Sequence, residues 1–229
     1  YGRLDITKDN FLKYATLNIF SKIDEKPNTK YKSIPREFKR LIFRGTVNSD
    51  FGKELRNNLE NFAYDLSKNQ IFSRNQLLDE SVELIENKDS LSVDILQEYF
   101  IPDRNFSAFI KDIRRVLPHQ NIDLLNITIR DVAPDTISYM HYAKEHVYGF
   151  VFLFNQPKTD KAELEMMQLT QQLTKIAIKN EGTFYLPYRL HNTKELLQQA
   201  YPQTETFFEL KKKYDPYEVF KNKFYENYN

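Results

Sequence analysis

Polar and apolar side chains alternate along residues 123–132, and this is the first place where the sequence groups residues that can do chemistry. Asn126, Thr128 and Arg130 share one face of the predicted strand, because the aliphatic residues between them point to the other face. The guanidinium of Arg130 is a rigid fork of donors that suits a substrate hydroxyl or oxyanion. A merely solvated sheet face is the alternative interpretation. We predict that Asn126 and Thr128 bind substrate and that Arg130 is catalytic.

A second group of reactive side chains lies at the end of the predicted strand over residues 183–188. It consists of Tyr185, Tyr188, Arg189 and His191. Segments at strand ends often build sites, because a rigid scaffold positions them while their own sequence is free to vary. The imidazole of His191 can act as a general base towards a substrate hydroxyl, and a capping or surface role is the alternative. We interpret His191 and Tyr188 as candidate catalytic residues, with Tyr185 and Arg189 binding substrate.

The composition argues against several kinds of site. The chain has no cysteine, which excludes disulfides, thiolate zinc sites and iron–sulfur clusters. Its histidines lack metal-ligand spacing, since even His141 and His146 stand five residues apart, so no metal site is predicted. Five glycines in 229 residues leave no glycine-rich loop of the kind that cradles dinucleotide phosphates. A nucleotide cofactor would need another segment to hold its phosphates.

Charge and hydropathy narrow the choice of partners. The formal net charge is +1, so the chain lacks the basic field of a nucleic-acid-binding protein. Its longest purely apolar run, residues 150–154, is far shorter than the roughly 20 residues of a membrane-spanning helix, so no membrane insertion is predicted. The absence of cysteine fits a reducing compartment, and we expect a cytoplasmic protein.

The elements that must position these residues follow an α+β pattern. Period-two segments predict strands, and segments with period 3.6 predict helices. The predicted strands cover 14–23, 91–101, 123–132, 147–156 and 183–188. The predicted helices cover 35–69 with a break near 45–50, then 103–117, 160–179, 193–200, 204–213 and 216–224. This order predicts an antiparallel sheet with helices packed on one face, followed by a short helical C-terminal tail.

The C-terminal region resembles a known family. Residues 201–202, 207–216 and 220–224 give an aromatic-rich helix, a Lys-Tyr-Asp-Pro turn and then Phe-x-Asn. This pattern resembles the tail of the FAD-linked oxidases typified by vanillyl-alcohol oxidase, and more narrowly the alditol and sugar-lactone oxidase branch. In that branch a strand of the cap domain carries Glu-x-Arg facing the flavin. Here Thr128 and Arg130 take those places, so the arginine is retained and the glutamate is not. Residues 185–188 align with the family's His-Trp-Gly-Lys, of which neither the histidine nor the lysine is present.

The resemblance implies a division of labour within a larger enzyme. Residues 1–190 would form a substrate-binding cap, and residues 191–229 a helical tail packing on an N-terminal FAD-binding domain absent from this chain. That domain would hold most of the FAD, with Asn222 contacting the cofactor. The whole enzyme would oxidise an alcohol, polyol or lactone-like small molecule by hydride transfer to flavin. The chain alone is expected to be inactive. The alternative is a self-sufficient α+β protein-interaction module without catalysis.

Overall fold

Antiparallel strands form the centre of the molecule. The computed structural model describes residues 1–25, 35–67, 70–78 and 82–229. Their strands are β1 (Gly2–Leu4), β2 (Ala15–Leu17), β3 (Ser92–Pro102), β4 (Asp123–Val132), β5 (Val147–Pro157) and β6 (Thr183–Phe184). They form one sheet in the order β2-β1-β4-β5-β3-β6, with every neighbouring pair antiparallel. The predicted α+β class with an antiparallel sheet is confirmed, while the strands predicted over 14–23 and 183–188 are much shorter.

The helices fall largely where the periodicity predicts them. They are α1 (Arg36–Arg44), α2 (Asp50–Ser67), α3 (Arg74–Leu78), α4 (Phe106–Val116), α5 (Asp160–Lys179), α6 (Lys194–Ala200), α7 (Thr204–Tyr214) and α8 (Lys223–Tyr228). The predicted helix over 216–224 is wrong. The carboxylate of Asp215 accepts hydrogen bonds from the amides of Val219 and Phe220, at 2.9 and 3.0 Å, and folds this segment into a turn. The last helix therefore begins only after Asn222.

The main core lies between the sheet and the helices α4 and α5. Its centre is aromatic, because the side chains of Phe150, Phe152 and Phe154 all point from β5 into this layer. The C-terminal tail adds to the same core: Tyr201 and Tyr228 are fully buried there, and the Tyr228 hydroxyl donates to a backbone carbonyl at 3.0 Å. Residues of both predicted segments, 1–190 and 191–229, thus share one core, and the division into two units remains a prediction.

An irregularity in β4 shifts the alternation of its side chains between the two faces of the sheet. Leu124 pairs with Phe154 and Asn126 with Leu153, so Leu125 is an extra residue, as in a β-bulge. Leu124 therefore joins the main core, while Leu125 contacts Leu153 and Phe43 of α1 on the opposite side. We call this opposite side the second face. The helices α1 and α2 cover one end of it.

The helix α5 ends in a Schellman motif that fixes the start of β6. The amide of Gly182 donates to the carbonyl of Ala177, and the amide of Glu181 to that of Ile178, at 2.8 and 2.9 Å. Glu181 takes the left-handed conformation (φ 59°) that such motifs require. The following Gly182 sits so tightly against β3 that a Cβ atom there would lie 2.5 Å from Ile101 Cδ1.

We predict that Gly182→Ala destabilises the fold by about 1–3 kcal/mol, because the new methyl group overpacks the contact between α5 and β3. Its Cβ would also lie 2.5 Å from the carbonyl oxygen of Phe100, which cannot move without disturbing the ladder. Chemical denaturation measures the free energy of unfolding. Gly2→Ala is the matched control, since its nearest neighbour, the Thr16 carbonyl oxygen, would lie 3.4 Å away. Equal losses in the two variants would contradict the packing argument.

Candidate functional site

A glutamate and an arginine meet on the second face although a whole strand lies between them. Thr128 of β4 pairs with Val151 of β5, which pairs with Glu98 of β3, so the three residues form one row across the sheet. Two residues after Thr128 on β4, Arg130 reaches over β5, and its Nη1 lies 3.7 Å from Glu98 Oε1. The Glu98 side chain is 5% exposed and that of Arg130 is 59% exposed. The pair therefore joins a buried acceptor to an accessible donor.

Gly149 makes room for this pair. It lies between Arg130 and Phe100 in the next row of the sheet. A Cβ atom at Gly149 would come within 3.3 Å of Glu98 Oε1 and 3.2 Å of the Phe100 ring. The missing side chain thus lets the carboxylate lie over β5 without these close contacts.

Aromatic rings surround the carboxylate on its other side. Tyr188 lies close enough to the Glu98 carboxylate for each to shift the pKa of the other, and the ring of Tyr185 lies 5.0 Å from that of Tyr188. Tyr142 stacks on Phe100 at 4.0 Å between ring centroids. We call Phe100, Tyr142, Tyr185 and Tyr188 the aromatic cluster. Together with the Glu98–Arg130 pair, it forms a wall with a charged donor and its carboxylate partner at one end and aromatic rings at the other, which suits a hydroxylated ligand.

Burial controls the protonation of this wall. It raises the pKa of Glu98, against the smaller opposing effects of the Arg130 charge and the Tyr188 hydrogen bond. It also raises the pKa of Tyr188, as does the negative charge of Glu98. The phenol is therefore a neutral donor at physiological pH, because its ordinary pKa is already about 10.

Asn126 and Thr128 lie at the junction between the second face and α2. The Asn126 amide donates to Thr128 Oγ1 at 2.8 Å, and its carbonyl accepts from Arg56 Nη2 at 3.3 Å. Arg56 also donates to the carbonyl of Leu125 at 2.9 Å. Burial, together with the nearby charge of Arg3, lowers the pKa of Arg56 to about 9. Asn126 thus connects the row of Thr128 to the helix that covers one end of the face.

Arg189 and His191 lie on the other side of the sheet, with α5. The carboxylate of Glu163 accepts hydrogen bonds from Arg189 and from Gln156, the latter at 2.9 Å, and its Oε1 lies 2.9 Å from His191 Nε2. His191 is 8% exposed, and its Nδ1 lies 3.1 Å from Thr170 Oγ1. The structure therefore separates these two predicted site residues from the second face. Their contacts attach the start of the tail to α5.

Asn222, the predicted cofactor contact, caps α8. Its side-chain oxygen accepts from the amide of Tyr225 at 2.9 Å. In the turn just before it, Tyr217 and Phe220 are 89% and 80% exposed. The structure thus places Asn222 beside an exposed apolar turn.

Two residues of the site were missed in the sequence. Glu98 stands in a strand that is otherwise mostly apolar, and its spacing of four from Asp94 puts both carboxylates on the second face. That spacing was the available signal. Tyr142 stands in the irregular segment between β4 and β5, where the sequence offers no periodicity to place it.

Among the residues that the structure describes, no three histidine or acidic side chains are grouped so as to hold a metal ion. Within the same part of the chain, no helix combines the length and the apolar character needed to cross a bilayer.

We predict opposite pH dependences for the glutamates on the two sides of the sheet. Hydrogen bonds from His191, Arg189 and Gln156 lower the pKa of Glu163, although burial acts against them. Its charge therefore stabilises the fold above the unfolded-state pKa of about 4.3, and this stability is lost as the pH falls through the folded-state pKa. For Glu98, whose pKa is raised, the stabilising form is the protonated one, and its contribution is lost as the pH rises through the folded-state pKa.

Melting temperatures between pH 3 and 7 test this. The difference between Glu98→Gln and the unsubstituted protein should become more positive as the pH rises, because glutamine mimics the protonated acid. The difference for Glu163→Gln should become more negative. Slopes of the same sign in the two variants would contradict the assignment of the two carboxylates.

Comparison with known proteins identifies the family. A model of the D-arabinono-1,4-lactone oxidase family matches residues 14–228. A search of curated protein sequences found no match. The family match spans the strand with Thr128 and Arg130 as well as the aromatic tail, and it confirms the resemblance to the sugar-lactone branch of FAD-linked oxidases. The chain belongs to the D-arabinono-1,4-lactone oxidase family.

Proposed function

We propose that the chain is the substrate-binding part of an FAD-dependent oxidoreductase that oxidises an alcohol, polyol or lactone-like substrate. The observation that carries this proposal is the Glu98–Arg130 pair beside Tyr188, on a sheet face of a chain that belongs to a lactone oxidase family. The accessible guanidinium of Arg130 binds the substrate oxygen next to the carbon that loses its hydride.

The chain fits one wall of a flavin site and not the whole of it. Its five glycines include none with positive φ among the described residues, so the tight turns of a phosphate-binding loop are not found there. The second face, in contrast, is a rigid sheet with an exposed cationic donor. We therefore assign the phosphates to a separate N-terminal FAD-binding domain. When bound, FAD supplies the hydride acceptor.

The residues of the second face divide the work of substrate binding. Along β4, Thr128 and Asn126 continue the polar side chains from Arg130 towards α2. Tyr185 and Tyr188 form the aromatic side of the wall. A desolvated wall strengthens the hydrogen bonds that Arg130 makes to substrate. Arg189 and His191 are left out of this assignment, because Glu163 holds both on the other side of the sheet.

The exposed turn after α7 supports a domain contact. Tyr214, Tyr217, Val219 and Phe220 are 71–89% exposed, while the backbone that carries them is held by Asp215. We assign this turn, with Asn222 beside it, to the contact with the FAD-binding domain and the cofactor. The same apolar exposure is what favours the alternative function, a protein-interaction module without catalysis. The chain has no cysteine and therefore no disulfide that a reducing compartment would break, and we place the enzyme in the cytoplasm.

The visible spectrum of the full-length protein tests the proposed function. Flavin bands should be present and should bleach when a sugar lactone or polyol is added without oxygen. In Arg130→Ala, the rate of bleaching should fall by about 100- to 1000-fold, the loss typical of removing one donor to a reacting oxygen. Arg115→Ala is the control, since Arg115 on α4 is similarly exposed, at 67%.

Each function has its own outcome in this experiment. A colourless full-length protein that takes up no added FAD would overturn the oxidoreductase and leave the interaction module. Flavin bands that bleach equally fast in both arginine variants would keep the enzyme but remove Arg130 from its site.

A further inference from the structure

We propose that Glu98 is a positioning residue: its buried carboxylate holds the Arg130 guanidinium and the Tyr188 hydroxyl so that both donate to the same substrate oxygen. This inference rests on the proposed function, and it adds a residue that the sequence analysis did not select. Three features of the structure support it: the burial of the carboxylate, the exposure of Arg130, and the contrast with a second ion pair on the same strand.

The backbone of Glu98 is held in the sheet, and its carboxylate is buried. β3 is an interior strand, paired with β5 on one side and β6 on the other. The carbonyl of Glu98 itself accepts from the Tyr185 amide at 2.9 Å. Its side chain is 5% exposed, and its Oε1 would lie only 3.3 Å from a Cβ atom at Gly149. A carboxylate held in this way has little freedom to change rotamer.

Arg130 needs such a partner. Its side chain is 59% exposed, and a long exposed side chain samples many rotamers in water. The nearby carboxylate restricts the guanidinium to one region of the second face. Tyr188 interacts electrostatically with both Glu98 and Arg130, so the two donors lie close to one another. Donors fixed before substrate arrives need not be ordered during the reaction.

The groups that face Glu98 define its charge state. Arg130 approaches from β4, and Tyr188 from the segment after β6. β5 presents Gly149 and Val151, which do not titrate. An ionised Glu98 attracts the guanidinium across their 3.7 Å separation, whereas a protonated one releases its hold on it. The positioning effect is therefore expected to be lost as the pH falls.

A second ion pair on β3 shows what a purely structural pair looks like. Asp94 lies on the same face, four residues before Glu98, and its Oδ2 is 2.5 Å from Arg44 Nη1. Both side chains are nearly buried, 15% and 17% exposed, and the pair joins the sheet to α1. In the Glu98 pair, only the acid is buried and the arginine is accessible. Asp94 therefore provides a matched control.

The test follows flavin reduction in the flavin-loaded full-length enzyme by stopped flow, with a sugar lactone or polyol as substrate. In Glu98→Gln, the limiting rate of reduction should fall about 10- to 100-fold, as expected for donors displaced by about 1 Å, with a smaller change in apparent substrate affinity. The acidic limb of the rate–pH profile should disappear in this variant. Asp94→Asn should lower the melting temperature and keep both the rate and the acidic limb.

A double substitution separates positioning from general damage. If Glu98 acts through Tyr188 and Arg130, then Tyr188→Phe should slow reduction in the unsubstituted enzyme and have a much smaller effect in Glu98→Gln. If Glu98→Gln does not fold, Glu98→Asp replaces it, and its shorter side chain should give the same loss of rate with the acidic limb retained.

The outcomes that overturn the inference differ from those that overturn the proposed function. If substrate does not bleach the flavin of the unsubstituted enzyme, both the proposed function and the inference are wrong. If substrate bleaches the flavin normally, Arg130→Ala is slow and Glu98→Gln is as fast as the unsubstituted enzyme, then only the inference is wrong. Losses of rate in Glu98→Gln and Asp94→Asn that follow their losses of melting temperature, with unchanged pH profiles, also remove it.

Discussion

The register of β4, β5 and β3 is the constraint on which the site depends. Side chains alternate between faces along each strand, so a slip of one residue would turn Arg130 and Glu98 into the aromatic core. The extra residue at Leu125 complicates this alternation. It puts Leu125 and Asn126 on the same face, so β4 sends Leu124 to the main core and still presents Thr128, four residues later, to the second face. The same strand pairing thus determines which side chains form the aromatic core and which form the site.

The carboxylates on the two sides of the sheet show how the same group serves two purposes. Glu163 is bound by His191, Arg189 and Gln156. These donors lower its pKa by more than its partial burial raises it. Glu98 is more deeply buried and has fewer donors, so its charge is held against a net cost. A group that makes the fold less stable in its charged form is typical of functional positions, where such costs are tolerated.

Sequence periodicity predicted the elements that local patterns determine. Long amphipathic or alternating segments, such as α5 and β4, have the predicted bounds. The turn over 216–222 was missed because one carboxylate, that of Asp215, competes with helix formation by binding two amides. The residues 185–191 are neighbours in sequence, yet the chain leaves the sheet after β6 and carries Tyr188 to one face and His191 to the other. Glu98 was missed because only strand pairing brings it to Arg130.

The row of Thr128, Val151 and Glu98 bears on how such a site can change in evolution. The resemblance places a glutamate of the family at the position of Thr128, on the strand that also carries the arginine. In this chain the row still contains a carboxylate, but it comes from β3, at the other end of the same row. Substrate contacts are set by positions in space, and a sheet offers each position from several strands. The loss of an acid from one strand therefore does not by itself remove acid–arginine chemistry from the face.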